Sequence, residues 1–377
     1  MEGLPLPEAR RIDISGRIGG SLFLDAGVRH GQIPERGWHS EVRRARINTR
    51  GLLDYVVKTE FKVEFGVDDD KFYLNDFYGQ WRLPRYFDRL RIGYFDPPVS
   101  LEVLSSSFER SLMEVATPLS AFAPGLRLGV QLDGAIEGPS LTYALNLSSV
   151  GQSQQFSDAS ESALRGVGRL VWRPDLSESL GADDLVHLAA SLGYTFSGSG
   201  DIRYRSRPES DLMPYLVDTQ DMSGNAGLVG LEGAWRSGAL TAQAEYLRSR
   251  VSRDGDSDVA FAGAYLQLAW MVTGELRAYD TASATFGGIT PEHPFQWSRE
   301  NFALDSLGAL EFAARYSWLD LESGNVAGGV MRSLNLGLVW TLDHWTKVEL
   351  GYVSARTRGN SAEGTSRVLQ SRLALRF

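Results

Sequence analysis

Alternation between apolar and polar residues recurs along almost the whole chain, and this pattern constrains the fold more than any other feature. In YVVKTEFKVEF, from Tyr55 to Phe65, large apolar residues share one face of an extended chain and four charged residues share the other. A period of two indicates a strand with one apolar and one wet face. About sixteen such segments of about 8 to 13 residues follow one another, a length that crosses a bilayer at a tilt.

The connections between these segments differ in length. Short turns occur at 236–238 and 343–345, whereas Gly151–Arg165, Gly198–Ser223 and Gly274–Gly308 are long. Antiparallel strands alternate in direction, and bacterial outer-membrane barrels place short turns at one end and longer loops at the other. We therefore expect all the long connections on the cell exterior.

Aromatic residues lie toward the ends of the predicted strands, with Trp81, Trp235 and Trp340 as examples. Amphipathic rings in such positions form the two interfacial girdles of an outer-membrane barrel. The last strand ends in Phe377 and resembles the assembly signal read by the barrel assembly machinery. We predict an all-β, 16-stranded antiparallel transmembrane β-barrel that contacts outer-membrane lipid and lipopolysaccharide.

Composition narrows the class of protein further. The chain has 377 residues, no Cys and a formal net charge of −9. These values argue against disulfides, thiolate metal sites and nucleic acid as a partner. No run of about 18 apolar residues indicates a transmembrane helix. The N-terminus MEGLPLPEARRID has no apolar stretch, so we expect no signal peptide, a short periplasmic segment at 1–11 and one barrel domain at 12–377.

One connection, residues 96–124, differs from an ordinary loop. It separates RLRIGYF from LRLGVQLDG and combines large apolar residues with charges such as Glu102, Glu109 and Arg110. Connections of about thirty residues are usually functional or disordered, and this one holds too much apolar material for a disordered linker. We predict that 96–124 is the third external loop and folds into the barrel lumen.

Other classes of protein fit the sequence less well. A propeller would show a repeat of about 40–50 residues, and no fixed period occurs, although periodicity alone does not separate a soluble β-sandwich from a barrel. Gly-x-Ser-x-Gly, P-loop and His-Glu-x-x-His motifs are absent, and the 5 His are scattered. Asp254–Asp258 begins like a calcium loop, but Val259 replaces the required Gly. We expect no enzyme activity, no metal and no cofactor.

Four segments carry a more specific pattern. They are EVRRARI at 41–47, SLEVLSSS at 100–107 followed by FERSL, VHLAASLGY at 186–194 and GLEGAWRSGALTAQAEYLRSRV at 230–251. In these segments, and along a match from about Ile12 to Phe377, the sequence resembles the phosphate-selective porin O/P family of Gram-negative outer membranes. The resemblance implies a homotrimer of 16-stranded barrels with an anion pathway narrowed by the third external loop.

The resemblance also implies roles for single residues. The family's paired arginines, loop serines, loop arginine and extracellular arginine cluster correspond to Arg43 and Arg44, Ser106 and Ser107, Arg110, and Arg203, Arg205 and Arg207. Phosphate-selective members carry a lysine where this chain has Val103, and they carry further lysines in a later loop where residues 279–294 contain none.

Strand parity indicates which charged side chains face the lumen. With the aromatic-rich face outward, Arg89, Arg91 and Arg127 point inward, as do acids such as Asp133. Sixteen strands leave a water-filled interior, and rings of basic residues select anions. Two interpretations stay open, namely cross-strand salt bridges that hold the wall and a basic path. The predicted path consists of Arg43, Arg44, Arg89, Arg91, Ser106, Ser107, Arg110 and Arg127.

From these features we expect a passive porin for small hydrophilic solutes, with a preference for phosphate-like or other small anions. The alternative is a structural or adhesive barrel that belongs to a larger surface assembly and transports little or nothing. An anion preference requires basic side chains that stay available to permeating ions, and sequence alone does not show which arginines are already paired.

Overall fold

The computed structural model of the chain describes residues 13–31, 36–54, 58–68, 71–83, 87–136, 138, 140–150, 163–175, 181, 183–197, 201–298, 303–359 and 363–377. The predicted periplasmic segment at 1–11 lies outside these residues, and so does most of the long connection Gly151–Arg165.

Sixteen antiparallel strands, each paired with its neighbours along the chain, form a closed barrel. The first and last strands complete the ring in a register that runs from Ser21 opposite Arg376 to Gly31 opposite Ser366. The strands are β1 (Asp13–Gly31), β2 (Gly37–Asp54), β3 (Lys58–Asp68), β4 (Lys71–Arg82), β5 (Arg89–Phe95), β6 (Arg127–Ile136), β7 (Leu141–Ser149), β8 (Leu164–Trp172), β9 (Leu185–Phe196), β10 (Met222–Ser237), β11 (Leu240–Arg253), β12 (Val259–Met271), β13 (Ala309–Ser323), β14 (Val326–Thr341), β15 (Thr346–Arg358) and β16 (Gly364–Arg376).

The two faces of each strand differ in the way that a membrane barrel requires. On β13 the outward side chains of Phe312 and Tyr316 are 43% and 52% exposed, whereas the inward Glu311 and Arg315 are only 3% and 1% exposed. An apolar outer face and a polar inner face invert the arrangement of a soluble protein. No helix in the described part of the chain is both long and apolar enough to cross a membrane.

The placement of one long connection differs from our expectation. The connection 272–308 follows β12, whereas 96–126 follows β5 and 197–221 follows β9. Successive strands run in opposite directions, so connections after even-numbered strands lie at the end opposite those after odd-numbered strands. The prediction that Gly274–Gly308 lies on the exterior with the other long loops is therefore wrong.

Short elements occur inside the long connections. The 96–126 connection holds helix α1 (Leu101–Leu104), a 3₁₀ turn at Ser107–Glu109 and helix α2 (Thr117–Phe122). Within 197–221, Arg205–Ser206 pairs with Val217–Asp218, and within 272–308 Tyr279–Asp280 pairs with Thr285–Phe286. Asp201–Ile202 pairs with the start of β10, and Gln296–Ser298 pairs with Ala303–Ser306.

Candidate functional site

The 96–124 segment is built as a compact chain of short turns. The hydroxyl oxygen of Ser100 accepts a hydrogen bond from the backbone N–H of Val103 at 3.1 Å, which caps α1. Ser100 has φ of 75°, an unusual value for a non-glycine residue, and this turns the chain after the two prolines at 97 and 98. Pro118 lies in the first turn of α2, where a missing N–H costs no helical hydrogen bond.

Apolar side chains of this segment pack against strands on widely separated parts of the barrel. Leu101 clusters with Ala234 of β10, and Leu112 clusters with Ala269 of β12 and Ala313 of β13. On another part of the ring, Phe108 packs with Phe23 of β1 and Ala374 of β16. The apolar residues that distinguish 96–124 from a disordered linker are therefore buried. They pack against the face of the strands that also carries the polar side chains.

Basic residues of the strands hold the backbone of the segment. Lys347 donates to the carbonyl oxygen of Phe108 at 2.5 Å, and Arg372 donates to that of Met113 at 2.7 Å. Arg315 donates to the carbonyl oxygen of Glu114 at 2.9 Å. Since the three donors are buried, each compensates part of its desolvation with a charge-assisted bond. These three side chains therefore hold the segment in place.

Carboxylates of the segment complete the attachment. Glu102 is 3% exposed, pairs with Arg315 and accepts from the backbone N–H of Ala116 at 3.1 Å. Glu114 accepts from Arg43 at 3.0 Å and from Arg372 at 2.7 Å. Although burial favours protonation of Glu114, the neighbouring Arg43 and Arg372 hold the pKa of this carboxyl well below its usual range.

A second long connection, 197–221, reaches the same place through Glu209. This side chain is 2% exposed and has φ of 52°. Its carboxylate receives hydrogen bonds from the segment and from two strands, the donors being Thr117 (backbone N and Oγ1), Arg315, Ser317, Ser333 and Asn335. Glu209 thus ties α2 to β13 and β14.

The connection at the opposite end contributes Arg277. Its guanidinium donates to the carbonyl oxygen of Glu109 at 2.6 Å and to the Ser111 hydroxyl at 2.7 Å. It also pairs with Glu311 of β13 at 2.5 Å. The 96–124 segment is therefore contacted from both ends of the barrel.

A β-bulge explains how two consecutive arginines of β2 can both lie near the 96–124 segment. Phe23 pairs with Arg44 and Leu24 pairs with Val42, which leaves Arg43 as the extra residue. A bulge re-aims side chains that would otherwise alternate. Arg43 reaches Glu114 of the segment, while Arg44 lies 5.5 Å from the centre of the Phe23 ring and close enough to Arg110 to repel it.

The predicted path residues fall into two groups in the part of the chain that the structure describes. Arg43 is bonded to Glu114, and Arg89 is bonded to Asp133 at 2.9 Å. Arg44, Arg91, Arg110 and Arg127 take part in no ion pair with a described carboxylate. Arg110 donates to backbone carbonyl oxygens of 102, 103 and 105, and Arg91 stacks 4.5 Å from the centre of the Tyr78 ring.

The two predicted serines of the 96–124 segment do not help to hold it against the strands. Ser106 is exposed and Ser107 is half-buried. Neither hydroxyl makes a hydrogen bond with any residue that the structure describes, so both remain able to donate to a solute.

Next to Arg89 and Arg91 lies a cavity of about 190 Å³, lined also by Asp96, Asp133 and Arg169. Asp96 directly follows β5. Burial and the nearby Asp76 raise the pKa of Asp96 to about 6. Its protonation therefore changes the charge of this cavity within the physiological pH range.

The extracellular arginine cluster is only partly available to solutes. Arg203 is paired with Asp218, with an Nε–Oδ1 distance of 2.8 Å, and Arg207 is paired with Asp211. Arg205 stacks 4.1 Å from the centre of the Tyr215 ring and has no ion pair among the described residues. Of the three, Arg205 is the one whose charge is not cancelled by a carboxylate.

Sequence reasoning overlooked several residues of this site. Arg165 lies on the buried face of β8, four residues before Arg169, so strand parity could have found it. Arg277 and Glu209 lie in connections, where periodicity gives no signal. Phe377 directly follows β16, and its backbone N–H and carbonyl are bonded to Gly20 of β1 at 3.1 and 3.0 Å.

The fold of this chain is similar to that of solved outer-membrane porins. The anion-selective porin from Comamonas acidovorans aligns with a TM-score of 0.61 and 11% identity over 97% of this chain and all (100%) of that one. The channel DcaP of Acinetobacter baumannii aligns with a TM-score of 0.60 and 9% identity over 97% of both chains. A trimer form of OmpT from Vibrio cholerae aligns with a TM-score of 0.57 and 11% identity, over 97% of this chain and 99% of that one.

Within that class, the chain belongs to the family described as "Phosphate-selective porin O and P", whose model matches residues 18–377. It is thus a multi-pass protein of the outer membrane. Porin O of Pseudomonas aeruginosa is 25% identical over 305 residues, which cover 71% of this chain and 65% of that protein. An uncharacterised protein of Caulobacter vibrioides is 27% identical over 329 residues, covering 82% of this chain and 61% of that protein. The chain spans less than two thirds of the length of both relatives.

Proposed function

We propose that the protein is a passive water-filled channel that prefers small anions. The observation that carries this proposal is a set of five arginines on or beside the inner wall that have no ion-paired carboxylate among the described residues. They are Arg44, Arg91, Arg110, Arg127 and Arg165. An arginine paired with a carboxylate presents little net charge to a solute, whereas an unpaired one attracts anions and repels cations.

The pairing of the arginines supports both interpretations of the lumen charges, each for different residues. Arg315 and Arg372 are each paired with two carboxylates and bonded to segment carbonyls, so these residues hold the wall and the segment. The five unpaired arginines supply the basic path. Both interpretations thus apply, to different residues.

We further propose that the 96–124 segment lies inside the lumen and narrows the pathway. Its support is the set of contacts from Phe108, Met113 and Glu114 to the buried faces of β13, β15 and β16. The segment then presents its other side, with Ser106, Ser107 and Arg110, to the water-filled path.

Small oxyanions, phosphate among them, are the permeants we propose. Two unbonded serine hydroxyls beside an arginine can donate to oxyanion oxygens, and guanidinium groups bind them bidentately. The family description and the name of the Comamonas neighbour agree with an anionic permeant. Val103 stands where a lysine would add a further cation, so we propose weaker phosphate retention than a lysine-bearing loop would give.

We also propose a homotrimer without enzymatic activity, consistent with the trimer form recorded for the OmpT neighbour. Outer-membrane lipid, lipopolysaccharide and the barrel assembly machinery are the proposed partners, the last through the terminal Phe377. Large apolar side chains cover the outer face, and they suit both lipid and subunit contacts.

Reversal potentials across planar bilayers in a KCl gradient test the channel proposal. We expect a potential whose sign corresponds to preferential chloride passage. A potassium preference would contradict the anion preference, and an absence of conductance in reconstituted protein would favour the structural or adhesive alternative.

A further inference from the structure

A cluster of polar groups lies on the inner face of β6, β7 and β8, apart from the residues predicted from sequence on β2 and in the 96–124 segment. Ser148 of β7 pairs in register with Gly129 of β6 on one side and with Arg165 of β8 on the other. Arg127 is two residues before Gly129 on the same face of β6, and Asn146 is two residues before Ser148 on the same face of β7. The four polar side chains therefore share one patch, which we call the β6–β8 cluster.

Each member of the β6–β8 cluster has a buried polar atom without a hydrogen-bond partner among the described residues. These atoms are Nε of Arg127, both amide atoms of Asn146, Oγ of Ser148 and Nη1 of Arg165. Ser148 is 2% exposed and Asn146 is 6% exposed. Buried polar groups in native proteins are nearly always bonded to protein or to ordered water, so these four neighbouring side chains have donors and acceptors available to a solute in the channel.

The charges of the cluster point to the kind of partner. Arg127 and Arg165 are close enough to repel each other, and neither forms an ion pair with a described carboxylate. The carboxylate of Asp96 contributes to the electrostatic environment of Arg127, yet the two form no ion pair. Two neighbouring guanidiniums that lack a counter-charge favour a bound anion.

Existing hydrogen bonds hold the two arginines in place. Nε of Arg165 donates to the Thr195 hydroxyl at 2.8 Å, and an Nη of Arg127 donates to the carbonyl oxygen of Leu126 at 2.7 Å. The remaining N–H groups are therefore preorganised, which lowers the entropic cost of binding.

The cluster also contains unbonded acceptors. The amide oxygen of Asn146 has no partner, and neither has that of Gln131, which lies directly opposite Asn146 in the register. A ligand that fits both kinds of group carries acceptor oxygens and at least one hydroxyl donor. Hydrogen phosphate has this character, whereas sulfate, fully ionised at neutral pH, has acceptors alone.

We propose that Arg127, Asn146, Ser148 and Arg165 form a binding site for a small protonated oxyanion on the free wall of the channel. The site is separate from Arg43, Arg44, Ser106, Ser107 and Arg110. It rests on the proposed function, because it would serve as a second station for anions that pass through the lumen.

Block of chloride current by inorganic phosphate tests the site. Single channels in KCl at neutral pH are titrated with phosphate or with sulfate, and the half-blocking concentration is measured. The variants are Arg165→Gln, Asn146→Ala and Ser148→Ala, the last two of which leave the charge unchanged. Arg250→Gln is the matched control, since Arg250 is exposed and paired with Asp258 near a hairpin tip.

We expect phosphate to block wild type at a lower concentration than sulfate does. The half-blocking concentration of phosphate should rise about tenfold in Arg165→Gln and several-fold in Asn146→Ala, since each loses a hydrogen bond to a charged ligand. Ser148→Ala should behave like Asn146→Ala, and Arg250→Gln should match wild type. Isothermal titration of phosphate into the detergent-solubilised protein should reproduce this order without any channel measurement.

Equal phosphate block in wild type, Arg165→Gln and Asn146→Ala would overturn the site. Equal block by phosphate and sulfate in wild type would overturn the role of the acceptor atoms. A potassium-selective wild type would contradict the proposed function instead. In that case, calorimetric phosphate binding that is weakened by Asn146→Ala would still support the site.

Discussion

Arg277 donates a hydrogen bond to the backbone carbonyl oxygen of Glu109 at 2.6 Å, although the two residues come from connections at opposite ends of the barrel. The same guanidinium reaches Ser111 and Glu311, so one side chain links the 96–124 segment, the connection after β12 and strand β13. The middle of the segment is thereby held by a connection at the end of the barrel opposite the one where the segment begins.

Replacing Arg277 tests this attachment. Arg277→Met keeps much of the aliphatic volume but leaves Glu311, which is 3% exposed, without its cation. Removal of one partner of a buried ion pair costs about 3–5 kcal/mol, so we expect a lower thermal unfolding temperature and more frequent current fluctuations in single-channel records. Arg358→Gln, an exposed residue at the end of β15, is the control. Fluctuations equal to wild type in Arg277→Met would show that the attachment is dispensable.

Glu209→Gln is expected to loosen α2. All of the groups that contact the Glu209 carboxylate are donors, and a glutamine would turn its own NH₂ group toward Arg315 or Asn335. Loss of a buried charged acceptor costs about 2–4 kcal/mol, and we expect closure at lower applied voltage than in wild type. Glu322→Gln, at an exposed position near the end of β13, provides a comparison of the same chemistry. The idea fails if both variants close at the wild-type voltage.

The anion preference should depend on pH through Asp96. Burial and Asp76 raise the pKa of Asp96 to about 6, so this carboxylate is charged at pH 7.5 and neutral at pH 5. Neutralisation removes a negative charge near Arg110, Arg46 and Arg127, and the chloride preference should increase as the pH falls through about 6. Reversal potentials in KCl gradients measure the change. Asp96→Asn should show the low-pH preference at both pH values, and Asp258→Asn should titrate like wild type.

Much of the architecture could be predicted because membrane strands follow a simple physical rule. The period of two located all sixteen strands, and parity placed Arg89, Arg91 and Arg127 on the inner face. Strand ends were harder to predict, and β1 has 19 residues, more than the about 8 to 13 expected for a segment. Beyond the apolar belt, strands continue through backbone pairing, and hydropathy carries no signal for this.

The pairing of charges was not predictable from sequence. Arg43 meets Glu114 and Arg315 meets Glu209 only because the barrel closes and two connections pack together. Which arginines remain unpaired follows from these long-range contacts. The bulge at Arg43 is a further example, since strict alternation would have sent Arg43 and Arg44 to opposite faces.

The central claim is that unpaired inner arginines, and not arginine number, set the anion preference. A triple variant, Arg44→Gln with Arg110→Gln and Arg127→Gln, removes three unpaired inner charges. The matched triple, Arg248→Gln with Arg250→Gln and Arg356→Gln, removes three exposed charges from the outer face. Reversal potentials in a KCl gradient should show that the inner triple loses most of the chloride preference, while the outer triple keeps the wild-type value. Equal potentials for the two triples would contradict the claim.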